Sequence, residues 1–153
     1  MPDIEQQQIM EWLEDAGYSF ELVEQSKVRF NIAFRHPPKE GGYVHAASAK
    51  PDRLSIIKGL SVTEEHQQAL TDLGTDGFAA FRFALLRDLL RLADMTYSIT
   101  GDASQNRMDG IQLQQDIPAE DLTRSSFFAT VQRIYSTALL VVIHVRRAAG
   151  KMP

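Results

Sequence analysis

Four histidines are the side chains of this sequence best able to do chemistry near neutral pH, because imidazole both binds metals and transfers protons. His36 and His45 flank one segment rich in proline and glycine, so a hairpin would place them on nearby rungs. A zinc site takes three or four ligands, and no carboxylates accompany these two histidines at ligand spacing. His66 lacks the second histidine of an H-E-x-x-H motif, and His144 lies near the end of a predicted helix, where its charge would favour the helix dipole. The sequence therefore predicts no metal site.

Carboxylates, serines and glycines give no stronger catalytic signal. Three adjacent acidic pairs lie at predicted helix ends, where neighbouring residues do not share a face: Glu14-Asp15, Glu64-Glu65 and Glu120-Asp121. The chain has no cysteine and no G-x-S-x-G motif, and Gly41-Gly42 precedes a strand and not a helix, so it is not a phosphate cradle. We therefore expect no catalytic residue, no cofactor and no enzyme. The remaining route to catalysis is a site assembled from distant parts of the chain, such as His36 and His45 with Glu11 or Asp116.

The net charge of −4 is distributed unevenly along the chain. Residues 1–26 carry seven acids and no base, whereas residues 27–58 carry seven bases and two acids. Lys27, Arg29 and Arg35 alternate with apolar residues and form a candidate basic face. Neighbouring acidic elements can screen such a face, or it can bind a partner, including nucleic acid. RNA-binding sheets expose aromatic side chains, but here the phenylalanines alternate with the bases, so nucleic-acid binding is the alternative and not the first hypothesis.

Apolar and polar residues alternate between Lys27 and Ala49, which predicts two strands of an antiparallel sheet with one buried face. Phe30 and Phe34 belong to the buried set. The segment 36–42 contains two prolines and two glycines, so it predicts the loop of a hairpin between strands at 27–35 and 43–49. Shorter alternating segments predict further strands at 18–22, 54–60, 97–99 and 111–117.

Helical spacing of apolar residues predicts helices at about 4–16, 61–73, 76–94 and 119–148. Asp3, Ser61 and Ser125 are the expected capping residues, and Gly74 separates the second helix from the third. The resulting order is α-β-β-β-(β)-α-β-β-α. We therefore predict a single α+β domain over 1–153, with an ordered core at about 4–148.

This order, together with the entry into the last helix through Ile117-Pro118-Ala119-Glu120-Asp121-Leu122, resembles the type III secretion chaperone-like fold. Within that fold the chain is similar to YbjN-like bacterial proteins and related archaeal proteins of unknown function. The resemblance covers nearly the whole chain, from Ile4 to about Val145. It implies a dimeric, non-catalytic protein-binding module with no catalytic residue. One departure is that secretion chaperones are commonly acidic where they receive a client, whereas this sheet region is basic.

The last two helices carry more apolar faces than one sheet can cover, and an uncovered apolar patch on a soluble chain usually marks an interface. We therefore expect a homodimer that also binds a protein client. The candidate partner-binding or dimer face comprises Phe78, Phe81, Leu85, Leu89, Val131, Tyr135 and Val142. The longest apolar stretch, 138–145, is shorter than the roughly 20 residues of a membrane span. The expected location is the cytoplasm.

Overall fold

The computed structural model describes residues 4–35, 42–92 and 94–150, and within them each predicted helix and strand is present. Two helices lie between the fourth and fifth strands, where the order written above has one. The fourth strand, which the sequence indicated less clearly, is present. Single turns of 3-10 helix lie at Ala103–Gln105 and Ala119–Asp121. The main elements are α1 Gln6–Asp15, β1 Ser19–Leu22, β2 Phe30–Arg35, β3 Val44–Ser48, β4 Arg53–Ser61, α2 Glu64–Asp72, α3 Gly74–Leu90, β5 Thr96–Thr100, β6 Gly110–Pro118 and α4 Arg124–Ala148.

The strands form one six-stranded sheet in the order β1-β2-β3-β4-β6-β5. The predicted hairpin of β2 and β3 is confirmed as an antiparallel pair, with Phe30 opposite Ser48 and Phe34 opposite Val44. β1 pairs antiparallel with β2, and β3 pairs antiparallel with β4. The predicted α+β class with an antiparallel sheet is therefore confirmed.

Two compact units divide the chain: residues 1–58 with 114–134, and residues 59–113 with 135–153. The chain passes between the units within β4, β6 and α4. The predicted extent of the domain, 1–153, stays a prediction.

In the first unit, an aromatic cluster covers one face of β2. The ring of Phe127 lies 5.8 Å from that of Phe34 and 5.9 Å from that of Trp12, and Tyr18 lies edge-on to Phe34 at 5.7 Å. Phe34 and Phe127 are fully buried. Aromatic pairs at these separations stabilise the fold beyond the effect of burying their apolar area. The helices α1 and α4 therefore pack on the side of β2 that the alternation predicted.

The start of β2 differs from the prediction. The strand begins at Phe30 and not at Lys27, because Lys27 adopts a left-handed backbone conformation with φ of 68°. Non-glycine residues reach this region mainly in turns, so the extended alternation cannot continue back through Lys27. Asn31 and Ala33 are also buried, which makes both faces of β2 largely inaccessible.

Two helix caps differ from the prediction, and the third lies outside the described residues because Asp3 is not among them. At α2 the cap is Thr63 and not Ser61: the Thr63 hydroxyl accepts a hydrogen bond from the His66 amide. At α4 the cap is Thr123 and not Ser125: Thr123 accepts from the Ser126 amide, and the Ser126 hydroxyl accepts from the Thr123 amide. Such reciprocal bonds satisfy amides that the first helical turn leaves unpaired.

In the second unit, α3 contributes one face to the core. Gly74 ends α2 and starts α3 with φ of 76°, which glycine adopts without steric cost. The buried apolar residues of this unit include Phe78, Phe81, Leu85 and Leu89 of α3, Met108 and Ile111 before and in β6, and Ala138, Val141 and Val145 of α4.

By length and composition, α4 is apolar enough to cross a membrane. The core helix of a soluble protein passes the same test. Phe127, Val131 and Ile134 are fully buried in the first unit, and Val141 and Val145 are buried in the second. The core packing of α4 in each unit thus accounts for much of its apolar composition.

Candidate functional site

The predicted basic residues do not form one open face. Lys27 lies in the turn before β2. The guanidinium of Arg29 donates hydrogen bonds of 3.2 Å to the Ile4 carbonyl and to the Ser48 hydroxyl. Arg35 lies at the far end of β2, about 20 Å from Arg29 by the rise of an extended strand. Its guanidinium lies 5.1 Å from the centre of the Tyr43 ring. The three charges are therefore dispersed, and Arg29 is partly engaged inside the protein.

Lys58 also belongs to the basic segment by sequence, but it is only 4% exposed. It lies on β4, where alternation places it on the same face as the buried Leu54 and Ile56. Burial lowers its pKa, because the charged ammonium loses hydration. The positive charge counted over 27–58 thus overstates the charge of the protein surface.

On the other face of the sheet, Asn31 and His45 form a polar pair. Asn31 donates from Nδ2 to Gln25 Oε1 at 2.8 Å, and its Oδ1 lies 3.0 Å from His45 Nδ1. An amide oxygen only accepts hydrogen bonds, so in this pair the donor is His45 Nδ1. Burial lowers the pKa of His45, and the charge of Lys58 lowers it further. Both effects favour the neutral form of the His45 imidazole.

The residues proposed above for a catalytic site assembled from distant parts of the chain have other partners. Asp116 accepts hydrogen bonds of 2.6 Å from Ser55 and 2.9 Å from Gln114. Glu11 accepts a hydrogen bond of 3.4 Å from Gln7, one helical turn away. His36 lies outside the described residues. Over 4–35, 42–92 and 94–150, no three His, Asp or Glu side chains are grouped so that they could hold a metal ion.

The residues chosen from the sequence as a partner-binding face need correction. Five of them, Phe78, Phe81, Leu85, Leu89 and Val131, are buried in the core. Tyr135 and Val142 are half-buried. The core face and an interface face of a helix have the same apolar composition, and the sequence prediction selected the face that packs inward.

The opposite side of α3 exposes large apolar side chains. Phe83 is 69% exposed and Leu90 is 73% exposed, with the half-exposed Leu86 between them. On α4, Leu139 is 59% exposed, and Leu140 and Ile143 are half-buried. We call these six residues the outer face. The second apolar stripe of α3 was visible in the sequence, whereas Leu139 and Leu140 lie in an uninterrupted apolar run that gives no sign of which residues face outward.

A hydrogen bond between His144 and Asp88 joins α3 to α4 within the second unit. His144 Nε2 lies 2.8 Å from Asp88 Oδ2, and both side chains are partly buried. The hydrogen bond from His144 is the main cause that lowers the pKa of Asp88. His144, expected from the sequence at a helix rim, therefore ties the two helices that carry the outer face.

A small cavity of about 180 Å³ lies in the second unit. Its walls are mostly apolar and come from the end of β4, the start of α2, β6 and α4. Val142, one of the residues predicted for a partner-binding face, lines this cavity. In the first unit, an open groove of about 420 Å³ follows residues 22–31 and is largely polar.

These features define an α+β protein with an antiparallel sheet, whose most distinctive surface is apolar and helical. Residues 5–145 match the family described as "Uncharacterized conserved protein (DUF2299)", and the chain belongs to that family. No curated protein matches the sequence.

Solved structures extend the comparison to the fold. An uncharacterized protein from Methanothermobacter thermautotrophicus has a TM-score of 0.84 at 19% sequence identity, covering 93% of this chain and 96% of that chain. YbjN from E. coli has a TM-score of 0.48 at 12% identity, covering 98% of this chain and 97% of that chain. The resemblance to archaeal proteins of unknown function, stated from the sequence, is thereby confirmed for family and fold.

Proposed function

We propose that the protein is a non-catalytic protein-binding module that forms a homodimer through the outer face. The observation that carries this proposal is the exposure of Phe83 and Leu90 on one stripe of α3. Isolated apolar side chains at a surface are common, but a contiguous stripe on a helix is typical of an interface. Leu139 on α4 is also exposed, and the hydrogen bond between Asp88 and His144 joins α3 to α4.

The exposed area suits a second copy of the chain. Phe83, Leu90 and Leu139 leave on the order of 350 Å² of side chain open, since large apolar side chains present about 150–250 Å² each. A two-fold interface uses the same patch on both copies, which doubles this area to roughly 700 Å². The half-exposed neighbours and Leu73 add to it, bringing the total toward the roughly 1,200 Å² of the smaller stable interfaces.

Charge supports an antiparallel pairing of α3 with α3 of the second copy. Asp76, Phe83, Arg87 and Leu90 follow one another at seven, four and three residues, so they share one side of the helix. Asp76 lies in the first turn and Arg87 in the last. When two such helices run in opposite directions, the acid of each copy meets the arginine of the other.

The first experiment measures the mass in solution by sedimentation equilibrium at tens of micromolar. We expect the native chain at twice 17.2 kDa and the variant Phe83→Asp at 17.2 kDa. Leu22→Asp is the matched control, because Leu22 is an equally apolar and exposed residue, at 55%, on β1 of the first unit, and it should remain a dimer. A monomeric native chain, or a dimeric Phe83→Asp variant, would contradict the proposed interface.

A charge exchange tests the antiparallel orientation. Asp76→Arg alone should weaken the dimer, because it places two positive charges together at each end of the interface. Adding Arg87→Asp should restore the dimer, since it recreates both ion pairs with their signs exchanged. Exposed pairs contribute roughly 0.2–1 kcal/mol each, so the two symmetric pairs should change the dissociation constant several-fold. No recovery in the double variant would exclude this orientation.

The protein client and the cytoplasmic location are parts of the same proposal. Packing of α4 into the cores of both units supports a soluble location, and cell fractionation tests it. The alternative function is nucleic-acid binding through Lys27, Arg29 and Arg35. A filter-binding assay on single-stranded RNA over a range of salt concentrations separates the two, because phosphate contacts make affinity fall steeply with salt. Salt-sensitive binding that is lost in Arg35→Gln would favour the alternative.

A further inference from the structure

The cavity of the second unit has apolar walls on several sides. Leu60 and Val62 come from the end of β4 and the residue after it, Ile111 comes from β6, and Val141, Val142 and Val145 come from α4. Ile111, Val141 and Val145 are buried, whereas Val142 and Val62 are half-buried. The cavity is therefore a cleft that opens to solvent and whose deeper wall belongs to the core.

Polar groups also line the cavity, and they favour an anion. Arg146 of α4 is exposed and carries a guanidinium, which forms paired hydrogen bonds with a carboxylate. His66 is half-buried and adds a ring N–H donor, and Ser61 and Thr63 add hydroxyl groups. Glu64 of the first turn of α2 does not line the cavity. Among the described residues that line the cavity, Arg146 supplies a positive charge and no residue supplies a negative one.

The size of the cavity limits the ligand. One water occupies about 30 Å³ of the liquid, so about 180 Å³ holds roughly six non-hydrogen atoms. Pockets for drug-sized molecules are larger, roughly 300–1,000 Å³. An apolar chain of about five carbons with a charged group at the opening matches both the volume and the lining.

We propose that this cavity binds a short aliphatic carboxylate, with its hydrocarbon chain against the valines of α4 and its carboxylate toward Arg146 and His66. Val142 and Arg146 follow Leu139 by three and seven residues, so the site borders the outer face on α4. Hexanoate binding is therefore measured in both the native chain and the Phe83→Asp variant, so that each proposal can fail without the other.

Hexanoate is the probe, and binding is followed by amide chemical shifts in two-dimensional NMR of the full chain. For so small a ligand we expect a dissociation constant on the order of 0.1–1 mM. Hexanol and hexylammonium have the same chain without the negative charge, and they should bind at least five-fold more weakly. The largest shifts should occur at Val62, His66 and Val142.

Two variants and one control test the assignment. Arg146→Gln should weaken hexanoate binding about five- to tenfold, because it removes a charge-assisted hydrogen bond at a partly solvated site, and it should leave the affinity for hexanol unchanged. Val142→Trp should abolish binding of both by filling the cavity. Arg147→Gln is the matched control, since Arg147 is an exposed neighbour that does not line the cavity. Absence of hexanoate binding at 10 mM (about tenfold above the weakest expected constant), equal affinities for the three probes, or equal losses in the two arginine variants would each overturn the proposal.

Discussion

Ile32 and Leu22 lie directly opposite each other on β2 and β1, and this pair gives the sharpest test of the sheet. Ile32 is fully buried, whereas Leu22 is 55% exposed. Truncation of either to alanine removes the same three carbons, which are worth about 0.8 kcal/mol each when fully buried. For Ile32→Ala the cavity left behind raises the expected loss of folding free energy to about 3–4 kcal/mol. In Leu22→Ala, less than half of the removed surface is buried and no cavity forms. The expected loss of folding free energy is therefore about 1 kcal/mol or less.

Urea denaturation followed by circular dichroism measures both losses. With a slope of about 2 kcal/mol per molar urea for a chain of this size, the midpoint should fall by about 1.5–2 M in Ile32→Ala and by about 0.5 M or less in Leu22→Ala. Both are compared at one protein concentration, because dimerisation would make the midpoint depend on concentration. Equal shifts in the two variants, or a shift in Ile32→Ala below about 0.5 M, would refute the assigned register or its buried face.

Three further predictions concern local features. The lowered pKa of His45 stabilises the folded protein above the ordinary histidine pKa of 6.5, and this contribution is lost as pH falls through the lower folded pKa. Denaturation at pH 7.5 and 5.5 should therefore show a smaller acid-induced loss of stability in His45→Gln than in the native chain. Thr123→Ala should cost about 1 kcal/mol through the lost cap, whereas Ser125→Ala should cost almost nothing by the same measurement. Gly101→Ala should lower the thermal midpoint far more than Gly74→Ala, because only at Gly101 would the added Cβ lie 2.5 Å from a backbone oxygen, although both have positive φ.

The sequence predicts the strands well because each strand carries its own alternation. Phe30, Ile32 and Phe34 identify the buried face of β2 without reference to the rest of the chain. The exact start of β2 was not predictable in this way, since the left-handed conformation of Lys27 depends on the turn that contains it. The burial of Asn31 was not predictable either, because it depends on Gln25 and His45, which approach from the preceding loop and from β3.

The candidate site shows the limit of periodicity more clearly. The spacing of α3 predicts two apolar stripes, one containing Phe81 and Leu85 and the other containing Phe83 and Leu90. Both stripes have similar side chains, so composition cannot decide which one packs against the sheet. Only the three-dimensional arrangement places Phe81 and Leu85 in the core and leaves Phe83 and Leu90 outside.

The last part of α4 is apolar on nearly every side, and each side has a different neighbour. Ala138, Val141 and Val145 are buried, Val142 lines the cavity, and Leu139 is open to solvent. A helix that is apolar all round is normally enclosed by protein or by lipid. Here the core accounts for one side, the proposed carboxylate for a second and the proposed second copy for a third. Together, the core and the two proposed partners would cover the apolar sides of this part of α4 without a membrane.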